Sequence, residues 1–140
     1  MAAIERVILD TGPLVAFLRA GDEFHGWAVE QMKQLRPPFL TCEAVLSEAC
    51  FLLDYDAAAI EVLAQYLEHT WIRAAFDFSD EADAVMQLMR RYRSVPMSFA
   101  DACLVRMAEL HDATPVFTLD RDFRIYRKNG RHHIPLICPR

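Results

Sequence analysis

Two short apolar runs, each stopped by an aspartate, limit the possible folds of this chain most. Val7-Ile8-Leu9 ends in Asp10, and Pro115-Val116-Phe117-Thr118-Leu119 ends in Asp120. Runs this brief and continuously apolar read as strands buried on both faces, and such strands belong to parallel sheets covered by helices. The spacing predicts strands over 4–9, 39–40, 71–74, 115–119 and 134–137. Between them it predicts helices starting at Leu14 and covering about 23–35, 42–53, 57–68, 79–93 and 98–111. Thr11-Gly12-Pro13 reads as a turn, and Thr41 and Asp56 as helix caps. Ala82, Val85, Met86 and Met89 read as the apolar face of the 79–93 helix, and 121–126 as a short helix or turn. Alternation of this kind defines the α/β class: an α/β/α sandwich with a short-stranded, mainly parallel central sheet. At 140 residues, with no repeat or linker, residues 1–140 read as one domain.

In parallel sheets the ligand crevice lies beyond the carboxyl ends of the strands, which is where Asp10 and Asp120 fall. Two further acids, Glu48 and Asp101, lie inside apolar helical stretches, Ala44–Leu53 and Phe99–Val105. The helical neighbours of Glu48 are Ala44, Val45, Phe51 and Leu52, which places it in an apolar sector. No Lys or Arg occurs between Arg36 and Arg73 to pair with it. A carboxylate in such surroundings is costly unless a cation or hydrogen bonds compensate it. Each acid also has a plain structural use. Asp10 and Asp120 could cap helices, Glu48 could snorkel from a rim, and Ser98-x-x-Asp101 matches a capping box. The set of four is more informative than any member, and it points to a missing cation. Hard oxygen donors without His or Cys favour Mg2+ or Mn2+ over zinc.

The net charge is −5, but it is unevenly spread. Residues 121–140 hold six basic residues against Asp122 alone, a local +5 that leaves −10 on the other 120. A second basic cluster, Arg90-Arg91-Tyr92-Arg93, precedes Asp101. Basic flanks beside an acidic cluster suit a phosphodiester substrate, although either cluster alone is also an ordinary solvated face. No apolar run is long enough to span a membrane, and the N-terminus lacks the basic-then-apolar pattern of a secretory signal. The four cysteines form no Cys-x-x-Cys pair, so reduced thiols and a cytoplasmic setting are expected.

With these positions assembled, the chain resembles the PIN-domain ribonucleases, especially the toxin subunits of VapBC-type toxin–antitoxin pairs. The resemblance rests on Ile8-Leu9-Asp10-Thr11-Gly12-Pro13-Leu14-Val15, Leu40-Thr41 through Val45-Leu46-Ser47-Glu48, Met97-Ser98-Phe99-Ala100-Asp101-Ala102, and Val116-Phe117-Thr118-Leu119-Asp120-Arg121-Asp122-Phe123. It implies a PIN-like fold and a metal-dependent endoribonuclease acting on single-stranded RNA. Asp10, Glu48, Asp101 and Asp120 match the family's metal-holding quartet, with Asp10, Asp101 and Asp120 as direct ligands. Glu48 completes the site or accepts the attacking water's proton. Thr11 and Thr118 match orienting hydroxyls, and Asp122 an auxiliary acid. Arg121, Arg124, Arg127 and Arg93 are candidate phosphate contacts, with Tyr126 or Tyr92 available for base stacking. His132-His133 stands outside the motif.

The resemblance also implies a small antitoxin partner and a homodimer. Phe24, Trp27, Phe51, Tyr55, Tyr66 and Trp71 are candidates to line such a groove, or else core residues. Two other enzymatic or binding classes compete. A phosphatase of the haloacid-dehalogenase type needs a second Asp two residues after the first, where this chain has Gly12. A PIN-like module that binds RNA or protein without cutting, or a solitary RNA-processing nuclease, would keep the same fold.

Overall fold

The computed structural model describes residues 6–140. Ile4 and Glu5, expected at the start of the first strand, lie outside the described residues, as does the rest of the N-terminal segment. Seven strands and six α-helices follow in the order β1 (Val7–Leu9), α1 (Thr11–Leu18), α2 (His25–Gln34), β2 (Phe39–Thr41), α3 (Glu43–Leu52), α4 (Ala57–Glu68) and β3 (Ile72–Ala74). Then come α5 (Phe78–Arg91), α6 (Phe99–Leu110), β4 (Val116–Phe117), a 3-10 turn (Arg121–Arg124), β5 (Arg127–Lys128), β6 (His132–His133) and β7 (Leu136–Ile137). Five strands form a parallel sheet in the order β3-β2-β1-β4-β7, flanked by the helices as an α/β/α sandwich. Among the described residues, no helix is long and apolar enough to cross a membrane. All four cysteines are free thiols.

β1 is the central strand, and Val7, Ile8 and Leu9 are fully buried. The chain builds the sheet from β1 through β2 to β3 on one side, then returns to place β4 on the other. A crevice opens where strand order reverses in this way, between the carboxyl ends of β1 and β4. Register brings Leu9 opposite Phe117, so Asp10 and Thr118, the next residue on each strand, are neighbours at that point. Helix α6 is apolar nearly all round, with Ala100, Ala102–Val105, Met107 and Ala108 buried, and it fixes the depth of Asp101.

Several local expectations needed revision. Thr11-Gly12-Pro13 is not a separate turn: α1 starts at Thr11, capped by Asp10, and Pro13 falls in the first helical turn, where its missing N–H costs nothing. Thr41 does not cap α3. It is the last residue of β2, and its buried hydroxyl donates to the Leu9 carbonyl at 2.8 Å. On α5, Val85 and Leu88 are buried while Met86 is exposed, and the cap is Asp77. The β5–β6 hairpin was not anticipated because its strands are polar. Its signal was Asn129-Gly130, both at positive φ (52° and 80°).

Candidate functional site

One cleft of about 270 Å³ is lined by Asp10, Thr11, Gly12, Glu48, Leu52, Asp101, Leu119 and Asp120. All four acids singled out from the sequence therefore meet, although they come from β1, α3, α6 and the segment after β4. Gly12 permits the closeness: a Cβ there would lie 3.1–3.2 Å from the Leu119 side chain, which would have to give by a few tenths of an ångström.

Asp10 is the buried member. Its Oδ1 accepts the Thr11 N–H at 2.7 Å and its Oδ2 accepts the Thr118 hydroxyl at 2.7 Å. The Thr118 oxygen in turn accepts the Asp120 N–H at 2.9 Å, so one buried hydroxyl orients two acidic residues. Burial, with the charges of Asp101 and Asp120 adding to it, pushes the Asp10 carboxyl up to about 7 against the two hydrogen bonds. Asp101 is partly buried, and burial followed by the charge of Asp120 raises its carboxyl as well. A hydrogen bond from the Tyr126 hydroxyl to Oδ2, at 3.0 Å, opposes that shift. Asp120 caps the 3-10 turn, its Oδ1 accepting the Asp122 N–H at 2.9 Å.

Glu48 takes the rim position and not the apolar setting, the two readings its neighbours left open. It is exposed, standing on the rim of the cleft, where the Thr11 hydroxyl approaches its Oε2 at 3.4 Å. Thr118 is buried and Asp122 half-buried, and neither lines the cleft. Arg93, Arg121, Arg124 and Arg127 do not line it either. Arg93, Arg121 and Arg124 are exposed, whereas Nη1 of Arg127 donates to the carbonyls of Arg124, Ile125 and Tyr126. Tyr126 is fully buried, which removes it as a base-stacking residue, and the Tyr92 hydroxyl is taken by the Arg127 N–H at 2.9 Å. Both rings pack against each other, 5.1 Å between centroids.

The six residues considered for a partner groove do not share one surface. Trp27 packs on Phe117, while Tyr66 and Trp71 line an apolar cavity of about 300 Å³ with Phe17. Phe51 (81% exposed) lines a separate surface cavity with Glu48 and Phe99, and Tyr55 (96%) is exposed just beyond α3. His132 and His133 are exposed on β6, away from the acids' lining. Arg19 attracted no attention in the sequence, but its Nη2 donates to the Leu52 carbonyl at 2.8 Å. It thus closes the end of the helix that carries Glu48.

The donor chemistry fits a hard divalent cation: carboxylate and hydroxyl oxygens, no lining Lys or Arg, and two carboxyls whose charged forms burial disfavours. Among the described residues, no three His, Cys, Asp or Glu side chains are arranged to hold an ion as they stand. A family model described as PIN domain matches residues 7–129, a span that contains all four acids and ends before β6. No curated protein matches the chain.

Proposed function

The chain belongs to the PIN-domain family, and we propose that it is a Mg2+- or Mn2+-dependent endoribonuclease of single-stranded RNA, the toxin of a type II toxin–antitoxin pair. PIN domains are generally nucleases, commonly metal-dependent ribonucleases. The observation that carries the finer reading is the convergence of Asp10, Glu48, Asp101 and Asp120 on one cleft without a cation in its lining.

In this reading Asp10, Asp101 and Asp120 hold the ion, with Glu48 completing the site directly or through water. When bound, such an ion neutralises phosphate charge, acidifies water and stabilises the leaving oxygen. The protein's own part is positional. Thr118 and the Thr11 N–H fix Asp10, Thr118 also anchors the Asp120 backbone, and Leu52 and Leu119 wall the cleft. Glu48, exposed and loosely steered by Thr11, takes the proton as water attacks phosphorus and the bond to the leaving oxygen breaks. Asp122 serves through its backbone N–H, which holds Asp120. Exposed Arg121, Arg124 and Arg93 supply phosphate contacts outside the cleft, with Arg127 contributing whatever its carbonyl bonds leave free.

The reading includes an antitoxin and a homodimer, for which exposed Phe51 and Tyr55 and the Tyr66–Trp71 cavity are available apolar surface. It also takes residues 1–140 as one domain in the cytoplasm. A second reading, a non-cleaving RNA- or protein-binding module, draws on the acids' not yet being arranged around an ion. Purified protein incubated with mixed-sequence single-stranded RNA, with Mg2+, Mn2+ or EDTA, beside Asp101→Asn, separates the two. Metal-dependent cutting lost in the variant supports the nuclease. Equal background in every lane, from folded and metal-binding protein, favours the module. An adjacent small reading frame for a DNA-binding antitoxin would favour the toxin over a solitary RNA-processing nuclease.

A further inference from the structure

Resting on the metal-site reading above, we propose that Tyr126 is a positioning residue: its hydroxyl fixes one oxygen of Asp101 and couples the orientation of Asp101 to that of Asp120. The Tyr126 side chain has 0% exposure, and its ring meets Tyr92 and Phe123 edge-on at 5.1 and 5.2 Å. A ring enclosed on two sides cannot change rotamer without unpacking both neighbours, so its hydroxyl is a fixed point. That hydroxyl donates to Asp101 Oδ2 at 3.0 Å, across 25 residues of sequence.

The second link runs through the backbone. The Tyr126 N–H donates to the Asp122 carbonyl at 3.2 Å, and the Asp122 N–H donates to Asp120 Oδ1 at 2.9 Å. Asp120, Asp122, Tyr126 and Asp101 thus form one hydrogen-bonded series joining two acids on different elements. Arg127 locks its base. Nη1 donates to the carbonyls of Arg124, Ile125 and Tyr126 at 2.7, 2.9 and 3.1 Å, and its N–H donates to the Tyr92 hydroxyl. Asp101 and Asp120 repel each other, and free carboxylates would swing apart. The tyrosine holds Asp101 against that swing and so sets the gap that an ion must bridge. Partners of this kind, behind the ligands, govern affinity as strongly as some ligands do.

Tyr126→Phe removes the hydroxyl and keeps the ring. Leu63→Val, in the buried core on α4 and outside the cleft's lining, serves as the structural control. Mn2+ binding to metal-free protein is measured by calorimetry, together with melting temperature and kcat and KM on single-stranded RNA. Tyr126→Phe is expected to bind Mn2+ about 10- to 100-fold more weakly. Its kcat should drop at limiting Mn2+ and recover at saturating Mn2+, with KM for RNA unchanged. Leu63→Val should melt lower yet keep its Mn2+ affinity. Unchanged Mn2+ affinity in Tyr126→Phe overturns the proposal, as does an equal loss in Leu63→Val, which would reduce the effect to general destabilisation. Wild-type protein that binds Mn2+ but cuts no RNA defeats the nuclease reading alone, because calorimetry still decides the role of Tyr126. Wild-type protein that binds no Mn2+ overturns both.

Discussion

Asp10 and Glu48 face the same cleft, yet Asp10 is buried with both oxygens held at 2.7 Å, while Glu48 is exposed with one contact at 3.4 Å. The sheet edge fixes its acid through strand register, because Leu9 pairs with Phe117 and leaves Asp10 beside Thr118. The helical wall fixes only the Cα of Glu48, a turn and a half into α3. A rigid carboxylate suits holding an ion in a fixed place, and an adjustable one suits receiving a proton from a moving water. The same contrast separates what each acid does to the fold, since burial makes Asp10 costly to charge.

The sharpest break in that comparison separates activity from stability. Asp10→Asn and Glu48→Gln should each reduce RNA cleavage by at least about 100-fold, more than the loss of a residue behind a metal ligand. Their melting temperatures should diverge. Glu48→Gln should stay within about 0.5 kcal/mol of the parent, as an exposed substitution does, and calorimetric melts check it.

Next in size is a pH effect led by Asp10, to which the raised Asp101 adds in the same direction. Folded, its carboxyl keeps a proton up to about 7, whereas the unfolded chain loses it near 3.8. Between those values the folded state binds more protons, so stability of the metal-free protein falls as pH rises from about 4 to about 7. The full shift would amount to about 4 kcal/mol. Melting curves across that range should slope downward in the parent and flatten in Asp10→Asn. Identical slopes would mean that Asp10 is not the group responsible.

Thr118→Val tests the rigid wall with a smaller effect. It leaves Asp10 Oδ2 and the Asp120 N–H without their partner, for a cost of about 1–3 kcal/mol in denaturant unfolding. The corresponding change on the loose wall, Thr11→Val, removes only the 3.4 Å contact to Glu48 and should cost less than about 0.5 kcal/mol. If the two valine variants unfold alike, the walls do not differ as described.

The acids at strand ends were legible because three or four apolar residues followed by Asp leave few alternatives to a buried strand with a polar mouth. Their meeting followed from the switch-point rule for parallel sheets. Exposure was not legible at Glu48, because apolar neighbours at helical spacing do not say which of them face the core; Phe51 is itself 81% exposed. Thr41 was misread because a hydroxyl before a helix suits a cap, while the three-residue strand it closes gives no periodicity to argue from. Tyr126 had no readable role at all. An aromatic in a basic stretch suggested a nucleobase, and only the packing of β5, α5 and α6 turns its hydroxyl inward to Asp101.

Asp10 caps α1 through the Thr11 N–H, Ser98 caps α6 through the Asp101 N–H, and Asp120 caps the 3-10 turn through the Asp122 N–H. Three helical beginnings therefore open on the acids, and the backbone brings partial positive charge to them. The consequence concerns the order of assembly. Small zinc domains gather their ligands only around the ion and are unfolded without it. Here strands and caps bring the acids to one cleft without an ion, which would have only the last adjustment of the side chains left to make. If the proposed metal dependence holds, a chelator should stop cleavage while leaving the protein folded, so that metal supply would act as a reversible valve, independent of how much protein is present.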